Sequence, residues 1–135
     1  MYVVALLEGA DGAWGVSVPD LDGCVAMGAT GDEALRNAQE SLREWIEARQ
    51  AGGFDVPTQR ELGALLADPE VREALAEGST LARILVVEDV GRPVKANLSL
   101  DSGVLAAIDS TAHRLGITRS AMVEKLAKDR LSEYA

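Results

Sequence analysis

Lys95, Asn97 and Ser99 stand at every second position of the stretch VKANLSLD, residues 94–101. Val94, Ala96, Leu98 and Leu100 fill the positions between them. A strand over 94–100 would therefore turn a cation, an amide and a hydroxyl to one side and an apolar row to the other. Such a face offers charge and hydrogen bonds to a polar partner, and nothing that breaks a bond. A second constellation follows in ITRSA, where Thr118, Arg119 and Ser120 open a predicted helix. The helix dipole disfavours a cation in its first turn, whereas the free backbone N–H groups there attract an anion. Arg119 with the hydroxyls of Thr118 and Ser120 has the makings of a phosphate grip.

Catalytic groupings are weaker. Glu8, Asp11, Asp20 and Asp22 are the early carboxylates, but a two-metal hydrolytic site needs several on adjacent strands converging within a few ångströms. Asp20 and Asp22 fall in a predicted turn, and the strands supply only Glu8 and Glu88 at their ends. His113 is the single histidine and lies on a predicted helix far downstream, with no Ser-His or Cys-His arrangement suggested. Cys24, the single cysteine, suits a small buried position after a turn. The expectation is a chain that is not an enzyme and that uses no cofactor and no metal.

Charge is divided unevenly along the 135 residues. Residues 1–90 carry six Lys/Arg against 17 Asp/Glu, a net −11, while 91–135 carry seven against five, a net +2. Parts of opposite sign predict partners of opposite sign. Hydrophobic residues make up 47% of the chain, enough for a core. The longest apolar runs are strand-sized, the N-terminus lacks the basic flank of a secretory signal, and one cysteine forms no internal disulfide. These features predict a cytoplasmic protein with no membrane partner.

In residues 1–90 the pattern predicts β-β-β-α-(short helices)-β. YVVALLE is apolar on both faces, GADGA is a turn, WGVSV alternates, and a short strand follows near CVAMG. Thr30 with Glu33 forms a capping box, and Leu35, Ala38, Leu42, Trp45, Ile46 and Arg49 repeat at helical spacing as far as Gly52 and Gly53. Thr58 with Glu61, and Asp68 before Pro69, predict short helices over 58–67 and 69–77. LARILVVED predicts the last strand. The expected arrangement is an α+β layer, one small sheet with its helices on one side.

The segment GAWGVSVPDLDGCVAMGATGDEALRNAQESLREWIEA resembles the N-terminal domain of HicB-type antitoxins: an aromatic strand, a Pro-Asp-Leu-x-Gly-Cys turn and a Thr-x-x-Glu-Ala helix occur in that family's order. The resemblance covers about residues 2–57. It implies a degenerate ribonuclease H-like fold without catalytic carboxylates, and a binding role toward HicA, a small basic mRNA-cleaving toxin with an essential histidine. An acidic surface is steered toward such a partner. The hairpin and turn with Trp14, Asp20, Leu21 and Asp22 are the candidate toxin contacts.

In residues 91–135, Asp101 or Ser102 can cap a helix bearing Leu105, Ile108, Ala112 and Leu115. Gly116 follows its end, and Thr118 caps a second helix with Val123, Leu126, Ala127 and Leu131 facing inward. One strand and two short helices make too small a core alone, and the strand leaves both edges bare. Antiparallel pairing with the same strand of a second copy answers both problems. The segment resembles the ribbon-helix-helix repressors, in which such a paired ribbon enters the major groove. The resemblance implies Lys95, Asn97 and Ser99 as base-facing residues and Thr118, Arg119 and Ser120 as DNA-phosphate contacts. Lysine suits guanine O6/N7 and asparagine suits adenine N6/N7. At only +2, this part should bind operator DNA as a homodimer or tetramer.

The resulting expectation is an antitoxin of a type II toxin–antitoxin system. Residues 1–90 would neutralise a HicA-type toxin, and residues 91–135 would dimerise and repress the operon. The alternative is a stand-alone ribbon-helix-helix repressor whose N-terminal domain senses a small ligand. A residual ribonuclease H-like RNA-cleaving site is disfavoured by the scattered carboxylates.

Overall fold

YVVALLEGA forms the first strand, β1 (Tyr2–Ala10), and its two apolar faces organise everything around it. It pairs antiparallel with β2 (Ala13–Ser17), β2 pairs antiparallel with β3 (Val25–Gly28), and β4 (Thr80–Leu85) closes the other side of β1, giving the order β3-β2-β1-β4. This computed structural model describes residues 1–134. The chain divides into two units, Met1–Glu88 and Asp89–Ala135. The α+β class is as expected.

On one face of the sheet, Val3 and Ala5 of β1 lie with Val16, Ala26 and Ile84 against α1 (Gly31–Ala51). The helix starts where Thr30 Oγ1 accepts the Glu33 N–H at 3.1 Å. It buries the row Ala34, Ala38, Leu42, Ile46, one residue every fourth position. Leu35 and Trp45 flank that row half-buried. Arg49 lies over the rings of Trp45 and Phe54, at 5.2 and 5.6 Å, rather than in the core. Gly28 ends β3 hard against the helix, and a Cβ there would lie 2.5 Å from the Ala34 nitrogen.

The opposite face is covered as well, which corrects the expectation of helices on one side only. The helices α2 (Leu62–Ala67) and α3 (Pro69–Ala76) set Leu65 and Val71 on Leu6, flanked by Val4 and Leu81. The reason is visible in β1 itself: with Val3 and Ala5 committed to α1, Val4 and Leu6 need a second cover.

Asp68 caps α3 by accepting the Glu70 N–H at 2.9 Å, as its place before Pro69 implied. Thr58 caps nothing; α2 starts only at Leu62, with Glu61 at its N-cap and no side-chain cap. Arg60 explains the late start. Its backbone N–H donates to Asp20 Oδ2 at 2.7 Å, which holds the chain on the β2–β3 turn where a helix from 58 would have begun. The last strand is also shorter than expected, ending at Leu85, and Val86 then exchanges two backbone hydrogen bonds with Met1.

The second unit contains α4 (Ser102–Leu115), α5 (Arg119–Arg130) and a 3-10 turn, Leu131–Tyr134. Asp101, not Ser102, is the cap of α4, accepting the Gly103 and Val104 N–H groups at 2.8 and 3.2 Å. Gly116 ends α4 in the left-handed region at φ 69°, and Thr118 caps α5 through the Ala121 N–H at 3.1 Å. Among the described residues of this unit only Ala112 and Met122 are buried. Leu105, Ile108, Val123 and Ala127 are half-buried. Leu115, Leu126 and Leu131, expected to face inward, are exposed, and Met122 takes the inward place instead. Within one chain the helices enclose little more than the Ala112 and Met122 side chains. Residues 94–100 join no ladder within the described chain.

Candidate functional site

The row Lys95, Asn97, Ser99 is fully presented. All three residues are exposed, and none makes a hydrogen bond or ion pair among the described residues. Their apolar neighbours are equally bare: Val94 is 86% exposed, Leu98 65% and Leu100 43%. Contiguous exposed apolar surface is a common mark of interaction sites. A cavity of about 420 Å³ lies beside this stretch, lined by Ala96, Leu98 and Leu100 together with Asn97 from the extended segment and by Leu105, Val123 and Glu124 from the helices.

Thr118, Arg119 and Ser120 come together at the start of α5, and Arg119 and Ser120 also border that cavity. Thr118 uses its hydroxyl on its own helix. Arg119 has an internal partner that the sequence reading missed: its guanidinium grips the Asp109 carboxylate of α4, Nε to Oδ1 and Nη2 to Oδ2 at 2.7 Å each. This contact holds the Asp109 carboxyl below the usual carboxylate range and raises the Arg119 guanidinium. The cation in the first turn is thus balanced from α4 before any phosphate is considered. The ten-residue spacing across the Gly116 turn was the only available signal for the pair. His113 is exposed in the last turn of α4, where the dipole suits a basic side chain.

In the first unit the four candidate contacts separate. Leu21 is 0% exposed and belongs to the core, so it cannot touch a partner directly. Trp14 is half-buried against that same core. The Asp20 side chain is 7% exposed and is held by Arg60, whose Nε donates to Asp20 Oδ1 at 2.6 Å while Nη1 donates to Asp68 Oδ2 at 2.7 Å. Asp22 alone of the four is exposed at the turn. Arg60 is the residue sequence reasoning missed, and a partner 40 positions away leaves no local signature. Its hydrogen bond, with those of the Glu70 and Val71 N–H groups, holds the Asp68 carboxyl below the usual range.

The remaining carboxylates do not converge. Glu8 accepts a hydrogen bond from the Ser79 hydroxyl at 3.3 Å. Among the described residues no three His, Cys, Asp or Glu side chains gather as a metal-binding group. Cys24 is buried, and burial pushes its thiol up. No helix among the described residues is long and apolar enough to cross a membrane.

Residues 2–127 match the family model described as HicB_like antitoxin of bacterial toxin-antitoxin system. The chain is 27% identical over 133 residues to an uncharacterized 14.9 kDa protein from the rep-hol intergenic region of Haemophilus phage HP1, covering 97% of each. It resembles the crystal structure of the Burkholderia pseudomallei antitoxin HicB with 29% identity and a TM-score of 0.54, over 97% of this chain and 98% of that one. It also resembles a chain of the HicA3 and HicB3 toxin-antitoxin complex, with 26% identity and a TM-score of 0.54, over 65% of this chain and all of that one (100%).

Proposed function

The chain belongs to the HicB-like antitoxins of bacterial toxin–antitoxin systems, and from that premise we propose that its two parts have two partners. Residues 1–90 bind and neutralise a HicA-type mRNA-cleaving toxin. Residues 91–135 form a ribbon-helix-helix homodimer that binds operator DNA and represses the operon. The toxin half is supported by the −11 charge of residues 1–90, which suits a basic RNA-binding protein, and by the likeness to a chain of the HicA3 and HicB3 toxin-antitoxin complex.

The observation that carries the DNA half is the incompleteness of the second unit. Its apolar row Val94, Leu98, Leu100 and the helix residues Leu115, Leu126 and Leu131 are all exposed in one chain. A second copy pairing its own 94–100 segment antiparallel supplies the missing ladder and covers that row with four helices. Lys95, Asn97 and Ser99 then share the outer face of a two-stranded ribbon, the form that fits a major groove. Arg119 and Ser120, with the N-terminus of α5, hold flanking phosphates.

Co-expression with a HicA-type toxin, taken from beside its gene if a small basic reading frame lies there, followed by affinity capture and an RNA-cleavage assay, tests the first half. A gel shift on the DNA upstream of the pair, with light scattering for mass, tests the second. Capture of no basic partner removes the toxin role. A monomer that ignores the upstream DNA removes the repressor role.

A further inference from the structure

Between the β2–β3 turn and the start of α3, the first unit has a cavity of about 280 Å³. Leu6, Leu21, Val25 and Val71 supply its apolar lining. Asp22 and Glu70 also line it, and both residues are exposed, so their carboxylates belong to its mouth. Arg60 and Asp68 border it too, but they are engaged with each other and with Asp20. Asp22 and Glu70 have no side-chain hydrogen bond or ion pair among the described residues. Beside the mouth runs β3, a sheet edge, with Val25 63% and Met27 70% exposed.

We propose that this cleft receives a lysine or arginine side chain of the cationic toxin, its aliphatic stem along Pro19 and Val25 over Leu6 and its charged head between Asp22 and Glu70. The proposal rests on the toxin-binding role above and gives that role a place. Long basic side chains are built for such a site, because they bury an apolar stem while the head stays with carboxylates at the surface. Charge selects the occupant. The lining carries three carboxylates against one guanidinium, which repels phosphate and hence nucleic acid. A second copy of the same acidic unit is repelled as well. A volume of about 280 Å³ has room for one inserted side chain. Val25 and Met27 offer the partner's flanking apolar surface at the same edge.

The test uses the full chain and a HicA-type toxin carrying alanine for its essential histidine, with affinity measured at 0.15 M salt. Three variants are compared: Asp22→Asn with Glu70→Gln, Asp22→Lys with Glu70→Lys, and a control, Glu44→Lys with Glu47→Lys, on exposed positions of α1. Circular dichroism melting checks that each is folded; the neutral pair keeps the test valid should the lysine pair unfold. The neutral pair should weaken binding at least about tenfold and the lysine pair about a hundredfold, with the control within about threefold. Equal losses in cleft and control variants would mean diffuse charge attraction and overturn the cleft, leaving the toxin role intact. No binding by the unaltered chain removes both.

Discussion

Arg119 and Asp109 are locked together by two parallel hydrogen bonds that tie the first turn of α5 to the middle of α4. The guanidinium is therefore oriented in advance, with Nη1 still unpartnered among the described residues. On the proposed reading, a donor held this way would fix the position of a phosphate without reading sequence. Arg119→Ala should weaken binding to every DNA sequence alike and lower the salt slope by about one per chain. Anisotropy titrations across potassium chloride concentrations check this. A loss confined to one base position would contradict the backbone role.

Lys95 and Asn97 should behave in the opposite way. Both are exposed, and neither makes a hydrogen bond or ion pair among the described residues. Lys95→Ala with Asn97→Ala should abolish operator recognition and lower Tm by no more than about 2 °C. An unaltered gel shift would remove the ribbon face from the mechanism.

Leu98 sits between those two roles. It is 65% exposed in one chain, so an aspartate there harms nothing unless pairing buries it. Leu98→Asp should halve the mass seen by light scattering and eliminate operator binding, while toxin inhibition by the first unit persists. A wild-type protein already at single-chain mass would count against the dimer.

The Arg60 clamp gives a pH signature. Asp68 has its folded pKa depressed by Arg60 and by the N–H groups of Glu70 and Val71. Its stabilising contribution is complete above the ordinary aspartate value of about 3.9 and is lost as pH falls through the lower folded value. Urea denaturation of the wild type and Arg60→Ala should therefore differ most near neutrality, the variant being less stable, and converge in acid. A gap that widened below pH 4 would reverse this assignment.

Gly28 tests the seam between sheet and helix. Gly28→Ala would place a methyl 2.5 Å from the Ala34 nitrogen and 2.9 Å from the Glu33 carbonyl carbon, both backbone atoms that yield poorly. The expected cost is about 1–3 kcal/mol, read from chemical denaturation. A neutral outcome would mean the start of α1 can shift.

Local chemistry made much of this fold legible. Thr30, Asp68, Asp101 and Thr118 each cap the helix their sequence neighbourhood predicts, because a cap involves only the next two or three backbone N–H groups. Gly116 is similar, since a left-handed residue after an apolar stripe is a nearest-neighbour signal. Distance defeated the rest. Thr58 looked like a cap, but Arg60 is held by Asp20, 40 positions earlier. Leu21 reads as a turn residue and lies wholly in the core, because the turn folds inward there. The double cover of the sheet was written in YVVALLE, whose apolar faces number two, yet only Leu65 and Val71 reveal what covers the second. At the candidate DNA face the alternation of residue types was plain, whereas the Asp109 partner of Arg119 depends on how α4 and α5 turn at Gly116.

The bare apolar row at Val94, Leu98 and Leu100 has a consequence for dosage. On the proposed reading one molecule can silence one toxin, but gene control begins only when two molecules have met. At low abundance the number of such couples grows with the square of the amount of antitoxin. Protection therefore comes first as the protein accumulates, and transcription is shut off only once there is a surplus.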